Sequence, residues 1–422
     1  MRVPIEDWLT EVLGECQEDS GEVAAYIPEL ASADPDRLAG AFCTVGGDTY
    51  VAGDAEDEFT IQSISKPFTY ALALQDRGLD AVLQKIDVEP SGDAFNEISL
   101  EPSTGRPRNP MINAGAIAAH ALVDGGSSEA RGERILEFFS ALAGRRLSVD
   151  EDVFESEMAT AHRNLAIAHM LRTVEVLEDD PVDVVRGYIR QCSINVTVTD
   201  LAQMAATLAN GGADTARREQ LLSRDHTRQV LSVMASCGMY DAAGDWFSSI
   251  GIPAKSGVAG GIIGVLPGQV GIAVFSPRLD SHGNSARGVK VFGHLSREMG
   301  LHLMESSQGS RSAVRQGRTD GDGDHASIFE LQGDIRFAEA ESVLRTIAQE
   351  PEGSGVVVLD MTRVHEINGA ARRMLLEGVR RLHLDGHPVR LVDPDGILPD
   401  PDAGGGYRPD VHETIDEACA AD

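Results

Sequence analysis

The sequence predicts an α+β fold: a helical cluster with a late antiparallel sheet, followed by a small α/β domain. Three observations predict it. Residues 258–276, VAGGIIGVLPGQVGIAVFS, hold two Val- and Ile-rich runs around Leu266-Pro267-Gly268-Gln269, the pattern of a β-hairpin. Ahead of the hairpin, residues 67–86, 113–124, 129–144, 155–171, 181–190 and 199–210 read as helices, the last stopped by Asn210-Gly211-Gly212. Helices gathered before an antiparallel hairpin argue against a doubly wound parallel sheet. Behind this part, residues 327–333, 356–361 and 388–394 read as strands, alternating with helices over 338–349 and 369–386. That order implies a small sheet with helices on one side.

The boundary between the two parts is compositional. Residues 306–325, SSQGSRSAVRQGRTDGDGDH, have almost nothing to bury and read as a flexible connection. The expected domains are therefore 1–305 and 326–422, and the acidic, Gly-rich end of the chain is expected to fray.

Across 422 residues, 67 Asp and Glu against 36 Lys and Arg leave a net charge of −31. Nucleic acid and anionic membranes would be repelled. No apolar run is long enough to span a bilayer, and the acidic N-terminus lacks the pattern of a signal peptide. A cytoplasmic location is expected. Five scattered cysteines, Cys16, Cys43, Cys192, Cys237 and Cys419, suggest reduced thiols. His120, His162 and the other histidines show no metal spacing, so neither a metal nor a cofactor is expected. Only four residues are lysines, Lys66, Lys85, Lys255 and Lys290, so each merits inspection.

Two of those lysines sit in motifs. Ser63-Ile64-Ser65-Lys66 precedes a helix, with Pro67 placed where only a first turn tolerates it. A helix start at Ser63 puts Lys66 one turn on, on the same side. A neutral lysine there can take the serine proton as the hydroxyl attacks a carbonyl. By itself the motif reads more simply as an ordinary serine cap with a surface lysine. Lys255-Ser256-Gly257 comes later, beside the hairpin. Ser-x-x-Lys followed by Lys-Ser-Gly is the pattern of penicillin-recognising serine hydrolases. The strand edge would supply an oxyanion-hole N–H beside that of Ser63. Gly257 would let substrate approach the backbone, and the charge of Lys255 would favour neutral Lys66.

Six segments, these two motifs among them, sharpen this. Ser63 to Phe68, Asn109-Pro110-Met111-Ile112-Asn113-Ala114-Gly115-Ala116-Ile117, Tyr188 with Gln191-Cys192-Ser193-Ile194, Leu208 to Gly212, Cys237-Gly238-Met239-Tyr240-Asp241 and Lys255-Ser256-Gly257-Val258 occur in this order. Together with 267–289, they resemble the serine-dependent glutaminases over most of residues 5–300. The resemblance implies a β-lactamase-like fold and hydrolysis of L-glutamine to L-glutamate and ammonia. It implies Ser63 as nucleophile, Lys66 as its base, and Asn113, Glu157 and Asn164 as substrate ligands. It also implies Tyr188 and Tyr240 as active-site tyrosines and Val258 as an oxyanion N–H, with Lys255 and Gly257 in support. Glu157 and Asn164 are seven positions apart, two turns of one helix, and would face one side. Glu157 would hold the α-ammonium, and Tyr240 would relay a proton to ammonia.

The C-terminal part resembles the STAS domains of anti-sigma-factor antagonists through Val358 to Ala371. Aligned through Ile367, the regulatory serine of that family falls on Ala370, which has no hydroxyl. The resemblance therefore implies protein docking or homo-oligomer formation, not a phosphorylation switch. Two other readings stand beside the glutaminase: a related β-lactamase-like amidohydrolase, and a STAS-led regulatory protein with an inactive hydrolase part.

Overall fold

In the computed structural model, residues 5–18, 21–92, 97, 99–305, 313–320, 326–348 and 355–420 are described. The chain forms two compact units, Met1–Glu305 and Ser306–Asp422. The hairpin expected at 258–276 resolves into strands Gly261–Leu266 and Val270–Phe275, with Leu266 opposite Val270. It is the centre of a five-stranded antiparallel sheet. Ala254–Ser256 flanks it on one side, and Ala39–Thr44 followed by Thr49–Gly53 on the other.

Both faces of this sheet are covered. Ile262, Ile272 and Val274 pack with Leu9 and Leu13 of the Ile5–Glu15 helix and with Val291 and Phe292 of the Ala286–Met299 helix. Ile263, Val265 and Ala273 point the other way, into the helical cluster that includes Leu201 and Ala205 of the Val198–Ala209 helix. Two-sided burial explains why these strands read as continuous apolar runs instead of alternating ones.

The helical cluster is built around Ser65–Arg77, whose residues 65 to 74 are all buried. The helix expected over 67–86 stops at Gly78, and a short helix, Leu79–Leu83, follows. The stretch 155–171 also divides, into Glu151–Ala159 and His162–Thr173. Side-chain caps start several helices: Asp150 accepts from Val153 N, Asp180 from Val182 N, and Thr197 and Asp200 form a capping box.

The second unit is a five-stranded sheet in the order Asp410–His412, Val389–Val392, Val356–Ile367, Ala326–Ile335, Val314–Asp320. Only the Val314–Asp320 strand runs antiparallel to its neighbour. Phe329, Leu331, Val357 and Leu359 face the Phe337–Ile347 and Gly369–Leu384 helices. Ile328, Val358 and Val392 face the opposite way, onto Ala418 of the Ile415–Ala420 helix. Helices thus cover both faces, where one was expected.

Two compositional expectations are corrected here. Residues 314–320, assigned to a flexible connection, pair with Ala326–Ile335. A ladder is held by backbone groups, so an edge strand can carry polar side chains. The rest of that expected connection, 306–312 and 321–325, lies outside the described residues. The acidic end of the chain, expected to fray, adds a strand and a helix because Ala418 covers sheet residues that would otherwise stay exposed.

Candidate active site

Ser63 lies in a single 3-10 turn, Gln62–Ile64, that runs directly into the Ser65–Arg77 helix. The α-helix itself opens at Ser65, two residues later than the motif alone suggests. Gln62, ahead of the serine, has φ +49°. A left-handed conformation at a non-glycine residue is a cost that the surrounding packing holds in place.

Lys66 is 0% exposed, and its Nζ donates to Asn113 Oδ1 at 2.7 Å. Burial disfavours the charged ammonium and lowers the Lys66 pKa to about 8. Asn113, the first residue of the Asn113–Leu122 helix, is itself fixed. Its Nδ2 donates to Asn164 Oδ1 at 3.0 Å, and the Tyr188 hydroxyl donates to its Oδ1 at 3.4 Å. One asparagine thus links the lysine to two further residues expected at the site.

A second group approaches the serine from the sheet. Tyr240 is hydrogen-bonded to the Ser63 side chain, and its hydroxyl donates to the Ser256 carbonyl at 3.0 Å. Burial drives the Tyr240 pKa upward, so the phenol keeps its proton at rest. Lys255 is fully buried, donates from Nζ to the same Ser256 carbonyl at 2.7 Å, and stands 4.0 Å from the centre of the Tyr240 ring. Burial first, and the charge of Lys66 second, lower the Lys255 pKa well below the usual lysine value. Gly257 also packs against the turn that carries the serine. A Cβ there would meet Ile61 O and Ile64 Cγ1, each at 3.2 Å. The missing side chain makes room for the turn that carries Ser63.

A cavity of about 350 Å³ opens over these groups. Ser63, Asn113, Glu157, Asn164, Tyr188 and Val258 all line it, as expected from the sequence. Lys66 and Lys255 lie behind its wall, and Tyr240 borders two other cavities. Glu157 and Asn164 reach the cavity by a route other than a shared helix face. The chain breaks at Thr160 and Ala161, both near ψ +9°, and the two residues belong to different helices. Thr160 turns its hydroxyl back onto Ser156 O and Glu157 O, satisfying carbonyls at that break.

Glu157 accepts from Tyr26 Oη at 3.0 Å and from Gln62 Nε2 at 3.3 Å. Burial raises its pKa, while both hydrogen bonds oppose the rise, and Glu29 adds like-charge repulsion. Among the described residues lining this cavity it is the only carboxylate, and so the natural partner for a ligand's ammonium. Glu157→Gln is expected to raise the KM for an amino-acid amide roughly 10- to 100-fold, from a lost charge-assisted contact of roughly 1.5–3 kcal/mol. An amide lacking the α-ammonium should be hydrolysed equally by both proteins. Equal losses on the two substrates would assign Glu157 to scaffolding.

Several lining residues escaped the sequence reading. Tyr26 is separated from Glu157 by 131 positions, and nothing local marks it. Cys192 lies inside a motif that assigns it no role, Gln62 directly precedes one, and Arg163 lies between motifs. A further layer holds the serine helix from behind. Gln191 Nε2 donates to Ser65 Oγ at 3.2 Å, and Gln191 Oε1 faces His120 Nδ1 at 2.9 Å. His120 is fully buried, and burial lowers its pKa to about 4, so the ring is neutral.

Comparison with known proteins agrees with this geometry. The glutaminase family model matches residues 21–304, and the STAS domain model matches residues 318–400. The chain is 53% identical to a glutaminase of Corynebacterium glutamicum over 403 residues, 95% of this chain and 97% of that protein. It is 51% identical to a glutaminase of Corynebacterium efficiens, over 97% of this chain and 96% of that one. Among solved structures, Mglu in its glutamate form superposes with a TM-score of 0.86 at 48% identity, covering 94% of this chain and 100% of that chain. The probable glutaminase ybaS superposes with a TM-score of 0.68 at 38% identity, over 71% of this chain and 99% of that chain. Among the described residues no helix is long and apolar enough to cross a membrane. Identity near one half across almost the full length of both partners leaves little room for a different lineage: the chain belongs to the glutaminase family, with a β-lactamase-like fold and a STAS domain behind it.

Proposed function

We propose that this glutaminase hydrolyses L-glutamine through a γ-glutamyl ester on Ser63. The observation that carries the reading is a buried Lys66, one turn from Ser63, with its pKa lowered to about 8. A lysine in that range is part neutral near physiological pH and can act as a base.

Glutamine enters with its α-ammonium against Glu157 and its side-chain amide over Ser63. Ser63 Oγ bonds to the amide carbon while its proton passes to Lys66. The oxyanion is received by the backbone N–H groups of Ser63 and Val258. The C–N bond breaks as Tyr240 gives its proton to the nitrogen, and ammonia leaves. The resulting tyrosinate takes a proton from water, whose hydroxide attacks the ester. Lys66 returns its proton to Ser63, and glutamate is released. Proton count and charge close over the cycle. Acid-quenched enzyme, digested and examined by mass spectrometry during turnover, should carry a γ-glutamyl group on the peptide containing Ser63. A glutamyl adduct on another residue would overturn the assignment.

The two compact units suggest a division of labour, because every proposed catalytic residue lies at or before Val258. The STAS unit would serve docking or self-association, since Ala370 offers no hydroxyl to phosphorylate. Truncation after Glu305 is expected to leave glutamine turnover within about threefold, while light scattering reports altered assembly. A folded truncated protein without activity would place part of the site in the STAS unit.

A further inference from the structure

We propose that Lys255 is the positioning residue that aims the Tyr240 hydroxyl at the departing nitrogen and steadies the phenolate left behind. This rests on the reading in which Tyr240 protonates ammonia.

Three features of the geometry point there. First, the Ser256 carbonyl accepts from both Lys255 Nζ, at 2.7 Å, and Tyr240 Oη, at 3.0 Å. A carbonyl has two lone pairs, and here each lysine and phenol contact uses one. The carbonyl thereby ties the lysine head to the phenol oxygen. Second, Lys255 Nζ stands over the Tyr240 ring at 4.0 Å, which blocks the ring from swinging towards the strand. Third, the backbone bringing Tyr240 here is costly. Tyr240 has φ +56°, and at Gly238 a Cβ would meet Ala254 O at 1.8 Å. The turn before Tyr240 is thus pressed directly onto the strand that carries Lys255. A strained residue held by close packing on both sides is one whose direction matters.

The chemistry gives the lysine its purpose. Breaking a C–N bond of an amide expels a very basic nitrogen, which must be protonated as it leaves. Misplacing the donor by about 1 Å can cost on the order of 10²-fold. When Tyr240 releases its proton, negative charge appears on Oη. The Lys255 N–H groups, which share the Ser256 carbonyl with that oxygen, then serve as donors to it. At rest, burial keeps the affinity of Lys255 for a proton low, which spares the phenol from early ionisation.

The test is a double-mutant cycle with a leaving-group arm. Lys255→Met removes Nζ with little change of shape. It is expected to lower kcat/KM for glutamine about 10²-fold. In a Tyr240→Phe background the same substitution should cost less than about threefold, because the group it positions is gone. In single turnovers, methanethiol release from the γ-S-methyl thioester of glutamate, whose thiolate leaves without a proton, should proceed at similar rates in wild type and Lys255→Met. Multiplicative losses in the cycle, or equal losses on amide and thioester, would overturn the role assigned to Lys255. A Lys255→Met protein as active as wild type on glutamine would overturn it too. Thermal melts establish that each variant is folded. If Lys255→Met does not fold, Lys255→Gln, which keeps a donor, carries the same cycle with a smaller expected loss. Failure of the underlying mechanism has a different signature: Tyr240→Phe alone would slow the single-turnover acylation step equally for amide and thioester.

Discussion

Ser63→Ala is expected to lower glutamine hydrolysis by at least roughly 10³-fold without loss of the fold. The hydroxyl is the atom that would bond to the amide carbon, and no neighbour replaces it. Ser65 is the nearest rival in sequence, but it is fully buried and engaged by Gln191, with Cys192 Sγ 3.9 Å from its oxygen. Ser256 is also fully buried, and its carbonyl is already shared by Tyr240 and Lys255. Because Ser63 is 7% exposed and sits at the cavity wall, losing one oxygen creates no large void. Ammonia release and a thermal melt, measured on the same sample, check both halves. Near-native turnover by a folded Ser63→Ala protein would remove the acyl-enzyme.

Lys66→Arg should lose about 10²–10⁴-fold in kcat/KM, the span of a general base. Arginine preserves charge but does not release its proton at accessible pH. The sign of the pH dependence follows. Lys66 works as a base only when neutral, so wild-type kcat/KM should rise with pH and level off above its pKa of about 8. Below that value activity should fall about tenfold per pH unit as the lysine takes up its proton. The rising limb should be absent from Lys66→Arg. An arginine variant with native turnover and an unchanged profile would make Lys66 an electrostatic partner of Asn113 instead.

Much of this was legible without coordinates because it is local. Ser63 and Lys66 are one turn apart on a segment with a helix start written beside it. The central hairpin declared itself through Leu266-Pro267-Gly268-Gln269 between two apolar runs, and the helix before it through Asn210-Gly211-Gly212. Such signals depend on backbone preferences within a few residues. The strand Ala39–Thr44 carried no comparable signal, because small residues buried on both faces show no period, and Thr49–Gly53 is a short, partly buried edge strand.

What needed the tertiary structure is whatever depends on distant segments meeting. The two-turn spacing of Glu157 and Asn164 suggested one helix face, and the cavity instead draws them from two helices broken at Thr160. Tyr26 reaches Glu157 across 131 positions. Gly257 leaves room for the serine turn, a contact that no local motif shows. The same holds for the end of the chain, where polar composition spoke for fraying and packing against Ile328, Val358 and Val392 decided otherwise. The lysine motifs named two candidate cations, but a motif has no dielectric. Only a fold that excludes water from both side chains lowers their proton affinity, and the Ser256 carbonyl, shared at 2.7 and 3.0 Å, ties the second lysine to Tyr240. Residue types are a local property of the chain. Desolvation and alignment are properties of the packed molecule, and the chemistry proposed for this glutaminase needs both.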